Sequence, residues 1–525
     1  MSKALRMARI SARGGFNLFW GTTISTVISA IGVIIVARLL SPSEYGIVAV
    51  ALTAPNLIQI FRDWGIDNAM IRYTARYNSE EKLADVRGIL IAGLIFEIVL
   101  GLSLSILTFL LSGFLATDVF ERPDIQPLVQ VASFSILAGA LLTVAQSIFT
   151  GVERMGLNSI TMILQSCLTT ALMTLLIFLG LGAYGAILGT TIAALLAGLI
   201  SILILLPLYK NMQKANGDRL RIVENIKTMF KYGLPLSLSA IIGGFLFQFY
   251  RFLIAIYATD LMIGNYSVAM NFTVLITFFT APISTMLFPF FSKLDSQREK
   301  ETLKNVFRFS VKYGALLVVP VATAIIALSQ PAISTVFGEE YIYAPTFLAL
   351  LTLGYLYSAF GNLSVGNLIN SQGKTRVNLL LTLVTSAVGL PMSLILIPRF
   401  GITGLIITSL IGGIPSMILG LRWVKTNFGA TVDWISSAKI LLSSATAGAI
   451  TYVILSLLRF SGWIMLIFGG AIFLFAFITA TILTRTMNKS DRNNLREMSK
   501  DLGPLHHLIN LLLDVIQKLT TTLGR

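Results

Sequence analysis

Val36-Ala37-Arg38-Leu39-Leu40-Ser41-Pro42-Ser43-Glu44-Tyr45-Gly46-Ile47-Val48-Ala49-Val50-Ala51 is echoed about 218 residues later by Ile254-Ala255-Ile256-Tyr257-Ala258-Thr259-Asp260-Leu261-Met262-Ile263-Gly264-Asn265-Tyr266-Ser267-Val268-Ala269. Further along, Gly182-Ala183-Tyr184-Gly185 returns as Gly401-Ile402-Thr403-Gly404, and the turns at Arg154-Met155-Gly156 and Lys374-Thr375-Arg376 occupy equivalent places. The chain is therefore two homologous halves. In a membrane protein that arrangement points to a transporter, because two similar lobes can rock about a central site and expose it to each side in turn.

Composition places the repeat in a bilayer. The 525 residues are 55% apolar and only 12% charged, with a mean hydropathy of +0.82. Apolar runs long enough to cross ~30 Å of hydrocarbon recur from about residue 16 to 484. No barrel-like alternation is present. The pattern predicts an all-α polytopic membrane protein of about fourteen transmembrane helices, two six-helix repeats forming two lobes plus two extra C-terminal helices. The expected boundaries are 1–208 for the N-lobe, 209–228 for a cytoplasmic linker, 229–424 for the C-lobe, 425–484 for the last two spans, and 485–525 for a tail. In that tail, Leu505, Leu508, Ile509, Leu512, Ile516 and Leu519 recur at helical spacing, as in an interfacial helix.

The net charge of +15 reports orientation, not a nucleic-acid partner. With the N-terminus cytoplasmic, Arg38, Arg122, Arg399 and Arg459 are the basic residues of the odd-numbered loops, and Arg62 and Arg251 belong to neither set. The other Lys and Arg residues fall in the tails and even-numbered loops. That bias is the positive-inside rule, with both termini cytoplasmic and the basic loops on anionic lipid. The basic start carries no removable signal pattern. Cys167 is the lone cysteine, and His506 and His507 have no ligand set beside them, so no metal is expected. Phosphate-binding loops, nucleophile elbows and zinc-protease motifs are missing, which argues against an enzyme.

Chemistry then rests on polar groups inside spans, where a charge costs about 2.5–3.5 kcal/mol at mid-membrane unless paired or hydrated. Arg251 follows Gln248 in the seventh span and is expected to face a central cavity; snorkelling, or pairing with Glu97, is its structural alternative. Glu97, in the third span, is the candidate for ion coupling. It is open to proton uptake, to pairing with Arg251 or another cation, or to packing in neutral form. Asn56, Gln59 and Asp63 share one face of the second span, and Arg62 adjoins them either as part of the site or as half of an end-of-span pair with Asp63. Gln146, Gln165 and Asn271 read as helix bridges. Pro55, Pro235, Pro282, Pro289, Pro320 and Pro391 permit bends.

Ala37-Arg38-Leu39-Leu40-Ser41-Pro42-Ser43-Glu44-Tyr45-Gly46, then Asp63-Trp64-Gly65-Ile66-Asp67 and Ile71-Arg72-Tyr73, resembles the start of polysaccharide-biosynthesis membrane proteins. These form the O-antigen (oligosaccharidyl-lipid) flippase branch of the multidrug, oligosaccharidyl-lipid and polysaccharide transporter superfamily. The resemblance implies a V-shaped transporter that moves a polyprenyl-(pyro)phosphate-linked oligosaccharide from the cytoplasmic to the outer leaflet of the cell membrane by alternating access. Arg251, Arg62, Asp63, Gln59, Asn56 and Gln248 would then meet the head group. It further implies no cofactor beyond a coupling cation, proton or sodium. The expected partners are membrane lipids and a glycan polymerase or glycosyltransferases, around a monomeric protein. A cation-coupled multidrug exporter of the same superfamily and a non-transporting scaffold for glycan assembly remain the alternatives.

Overall fold

The computed structural model describes residues 3–62, 64–213, 221–294, 298–458 and 462–487, with Asp491, Asn493, Asn494, Arg496, Asn510 and Asp514 beyond them. Asp63, the middle of the expected linker, and the expected tail helix with His506 and His507 lie outside the described residues, apart from Asn510 and Asp514. All described regular structure is helical, and the chain is an all-α polytopic membrane protein. Ten helices among the described residues are long and apolar enough to cross a membrane, or eleven if the bent pair Ala344–Phe360 and Asn362–Ser371 is one span. Large apolar side chains such as Phe178, Leu457 and Phe475 stand exposed, as expected of a surface solvated by lipid tails.

Two of the ten helices, Met155–Lys210 and Thr375–Phe428, are 56 and 54 residues long. A straight helix of 56 residues would run about 84 Å, far beyond a bilayer. Each instead breaks at a glycine of the repeat: Gly182 has φ 51° and ψ −134°, and Gly401 has φ 53° and ψ −129°. Side-chain-bearing residues rarely adopt that conformation. The chain doubles back at both places, so that a Cβ on Gly189 would sit 2.7 Å from the Met173 nitrogen and one on Gly404 2.2 Å from the Leu396 oxygen. A count of fourteen spans requires each long helix to serve as two passages, and the bent pair and the 18-residue Pro42–Gln59 to span as well.

The described residues pack as two compact units, 1–271 with 386–408, and 272–385 with 409–525. The sequence repeat groups homologous segments; these units group the segments that touch. The first unit is centred on buried Ile66, Met70, Val86, Leu90, Phe149 and Leu205. The second is centred on Phe291, Leu303, Phe307, Ile369 and Val424. Val86 and Leu303, Leu90 and Phe307, Phe149 and Ile369, and Leu205 and Val424 are repeat partners, so one core pattern is built twice.

In the first unit the quoted stretches become helices Pro42–Gln59 and Asp260–Phe272. Ser41 caps the first: its hydroxyl accepts from the Glu44 N–H while the Glu44 carboxylate accepts from the Ser41 N–H, a reciprocal capping box. At the equivalent place Thr259 accepts from the Met262 N–H at 3.4 Å. The two helices meet at glycines. A Cβ on Gly46 would lie 1.9 Å from the Asp260 oxygen and one on Gly264 1.8 Å from the Pro42 oxygen, so the backbones approach closely where the two copies match.

Candidate functional site

Hydroxyls inside the spans are satisfied largely within their own helices: Thr53 donates to the Ala49 carbonyl at 2.9 Å and Thr323 to that of Val319 at 2.9 Å. Such bonds let polar side chains enter hydrocarbon at little cost. The charged groups need more, and two polar centres in the first unit supply it.

At the first centre, Arg62 lies in the turn after Pro42–Gln59 and pairs through Nη1 with the Oε2 of Glu97, from helix Leu83–Leu110. Their side chains are 6% and 0% exposed. Nη2 of Arg62 donates to the Thr143 hydroxyl at 3.0 Å, from helix Gln126–Gly151. The structure gives Glu97 a cation partner in Arg62, one of the alternatives its sequence left open. Gln59 joins this centre: a Cβ on Gly139 would lie 2.8 Å from its amide nitrogen and 3.9 Å from Nη2 of Arg62. Buried charges of this kind are costly unless paired and hydrogen-bonded, and here a guanidinium meets one carboxylate and one hydroxyl.

The supporting geometry is local. Gly65, at φ 82°, lets the chain turn from Arg62 into helix Ile66–Ser79, and a Cβ there would lie 2.2 Å from the Gly233 oxygen. The tight connection to Leu83–Leu110 is stapled by Glu80, which accepts from Lys82 at 2.7 Å and Arg76 at 3.0 Å. Those two bonds hold the exposed Glu80 carboxyl below its usual range.

The second centre is Arg251, on helix Ile222–Tyr257. It lines a cavity of ≈ 40 Å³ with Thr53, Tyr266, Ser267 and neighbouring apolar side chains. That is room for a few waters. The guanidinium carbon stands 4.9 Å from the centroid of the Phe247 ring, a cation–π contact. Tyr250 fixes the helix here, since a Cβ on Gly389 would lie 2.0 Å from its hydroxyl. Asn271 donates to the Tyr45 hydroxyl at 3.1 Å, bridging helices as its sequence suggests. At the far end of the same helix, Arg122 pairs with Asp260 and donates to the Ala258 carbonyl at 2.6 Å.

Of the sequence candidates, the structure gathers Arg62, Gln59 and Glu97 together and sets Arg251 at a cavity of its own. Gln248 is half-buried with its amide oxygen unpartnered in the interior. Asn56 is half-buried on the second-span helix, and Asp63 lies outside the described residues. Sequence reasoning missed Thr143 and Tyr266. A lone hydroxyl in an apolar run carries no mark of the charge it will meet.

The family model described as polysaccharide biosynthesis protein matches residues 11–295, just over half of the chain. The probable low-salt glycan biosynthesis flippase Agl15 of Haloferax volcanii is 21% identical over 273 residues, 52% of this chain and 57% of that protein. The succinoglycan biosynthesis transport protein ExoT of Rhizobium meliloti is 25% identical over 324 residues, 61% of each. The chain thus aligns with less than two thirds of either. Among solved structures, the lipid II flippase MurJ in its inward closed conformation superposes with a TM-score of 0.70, covering 89% of this chain and 98% of that one. At 16% identity this establishes a shared fold.

Proposed function

The chain belongs to the polysaccharide biosynthesis protein family, and from that premise we propose that it is a flippase. It carries a polyprenyl-(pyro)phosphate-linked oligosaccharide from the cytoplasmic to the outer leaflet by alternating access. The observation that carries this reading is Arg251: a guanidinium on a membrane helix, facing a hydratable cavity, with no hydrogen bond to protein among the described residues. Such a cation is expensive in hydrocarbon unless an anion or water meets it, and a lipid phosphate is an anion that approaches from the bilayer. Gln248, one turn away, would add an amide to the sugar or phosphate oxygens. Names of the two relatives, a flippase and a transport protein, support the same class.

The head group's hydroxyls and phosphates cannot shed their hydrogen bonds to cross hydrocarbon, so a polar path must replace water while the lipid tail stays in the bilayer. Arg62 is neutralised by Glu97. Its part, and that of Gln59, Asn56 and Asp63, would begin when the pair opens, with Glu97 as the group that couples to a proton or sodium ion. The loop charge bias supports a multi-pass protein of the cytoplasmic membrane with both termini inside. A monomer meeting a polymerase or glycosyltransferases completes the proposal.

The test is leaflet translocation of a lipid-pyrophosphate-linked oligosaccharide in proteoliposomes, under imposed proton or sodium gradients. Wild type should translocate, and Arg251→Ala should lose about tenfold or more, as expected for a charge-assisted hydrogen bond worth about 1.5–3 kcal/mol. Export undiminished in an Arg251→Ala protein that assembles normally would remove Arg251 from the site. No translocation by wild type under any gradient would defeat the flippase reading.

A further inference from the structure

A second polar feature lies in the second unit, remote in sequence from every candidate above. Helix Ala344–Thr352 runs into a 3₁₀ segment, Leu353–Phe360, and then bends by 56° at Gly361 before Asn362–Ser371. Gly361 has φ 89°, the left-handed region that glycine adopts freely. An eight-residue 3₁₀ stretch is long, since such runs are uncommon beyond three or four residues, and one inside a helix often marks a hinge or a strained sequence. Three residues per turn eclipses i and i+3, so Tyr355 and Ser358 lie directly above one another on one face.

That face borders a cavity of ≈ 280 Å³, lined by Thr280, Val318, Tyr355, Ser358, Asn362 and the backbone of Gly354 among others. Ser358 is 5% exposed, and its hydroxyl is buried with no hydrogen-bond partner among the described residues. An unsatisfied buried hydroxyl costs about 1–3 kcal/mol, so it marks a place where something polar is missing. Its neighbours are anchored the other way: Tyr357 donates to the Leu410 carbonyl at 3.1 Å and the Ala359 carbonyl accepts from Ser437 at 2.6 Å. The broken segment is held from behind while Tyr355 and Ser358 are left facing the cavity.

Among the described residues the lining contains no charged side chain. A phosphate would find no cation there and a cation no carboxylate. Hydroxyls, one amide, one aromatic ring and a few apolar side chains suit an uncharged polyol, whose own hydroxyls both donate and accept. The volume is near the lower end of small-ligand pockets, which run ~300–1,000 Å³; it suits a single sugar residue and not a whole oligosaccharide. We propose that this cavity at the broken span binds one uncharged sugar ring of the transported glycan, with Ser358 and Asn362 hydrogen-bonding its hydroxyls and Tyr355 packing on its face. The proposal rests on the flippase reading for its biological ligand, though sugar binding itself is testable apart from transport.

The experiment uses the full chain in lipid nanodiscs and a panel of methyl glycosides of glucose, galactose, mannose, rhamnose and N-acetylglucosamine, read by saturation-transfer NMR. At least one should receive saturation from wild type and from Arg251→Ala. Its affinity should fall about tenfold in Ser358→Val and in Asn362→Leu, the worth of one hydrogen bond. Tyr355→Phe, which removes a single oxygen, keeps the test sound if Ser358→Val fails to assemble. In proteoliposomes, Ser358→Val should raise KM for the lipid-linked glycan with kcat little changed. Saturation of no glycoside by wild type, or equal binding in all three pocket variants, would overturn the proposal. So would a pocket whose variants lose sodium binding, read by ²³Na relaxation, while keeping sugar. A wild type that binds glycosides but translocates nothing would sink the flippase reading and leave the sugar site standing.

Discussion

Where the first repeat places Arg62, Glu97 and Thr143, the second places Thr280, Gly314 and Leu363. The correspondence follows from matching the helix starts Pro42 with Asp260 and Leu83 with Lys300, and the turn at Arg154 with that at Lys374. In the first repeat the three side chains make a buried ion pair with its hydroxyl support, and helix Gln126–Gly151 runs unbroken beside it. In the second, a guanidinium has become a hydroxyl, a carboxylate side chain a hydrogen atom, and a hydroxyl an apolar side chain. The helix breaks at Gly361, a Cβ on Gly314 would meet nothing closer than 3.9 Å, and Thr280 lines the cavity. The two repeats share a framework, but the charged clasp of the first has no counterpart at the equivalent places of the second, where Thr280 and Leu363 line a cavity.

The largest effect that can break this comparison comes from the clasp. Removing one member of a buried pair leaves the other uncompensated, so Glu97→Gln should lower stability by about 3–5 kcal/mol. The double variant Arg62→Leu with Glu97→Leu should recover most of that loss, because two apolar groups need no partner. At the equivalent places in the second repeat, Thr280→Ala and Gly314→Ala should cost less than about 1 kcal/mol, having no network to break. Thermal unfolding in detergent measures all four. A mild Glu97→Gln, no worse than Gly314→Ala, would mean that the pair does not hold the first repeat together.

Much of this fold was legible. The repeat, the apolar spans and the intramembrane charges stand in the chain as letters. The partner of Glu97 was not legible, since it sits 35 residues away and depends on how two helices rotate about their axes. Thr143 was hidden because a threonine in a span usually bonds its own helix. The broken span was harder still. Leu353–Phe360 has the composition of any apolar helix, and nothing in it marks the tightening from 3.6 to 3.0 residues per turn, which only packing decides. Ser41-Pro42-Ser43-Glu44, by contrast, spells a capping box that sequence alone could have shown.

A second effect tests the likeness of the halves. Gly182 and Gly401 adopt nearly the same φ and ψ, so Gly182→Ala and Gly401→Ala should each cost about 1–3 kcal/mol of backbone strain. The added methyl at 182 would lie 3.0 Å from the Glu44 carboxylate, whereas at 401 it meets nothing within 4 Å. Gly182→Ala should therefore be the worse of the two by a small margin. Loss in one half and none in the other would show that the turns, though alike in angle, do not carry equal load.

The smallest effect concerns the caps of the paired helices. Ser41 accepts from the Glu44 N–H at 3.3 Å, and the Glu44 carboxylate accepts from the Ser41 N–H at 2.9 Å; in the second repeat Thr259 accepts at 3.4 Å from Met262, whose thioether side chain cannot answer with a carboxylate. One box is closed and the other half-built. Ser41→Ala should cost about 1 kcal/mol and Thr259→Ala about half of that, within the known range for helix caps. Installing the missing carboxylate by Met262→Glu should then make Thr259→Ala as costly as Ser41→Ala, since the two bonds of a box are lost together. If the two alanine variants are equal before that change, the asymmetry of the caps is geometric and carries no energy. The divergence of the repeats would then be confined to the clasp and the pocket.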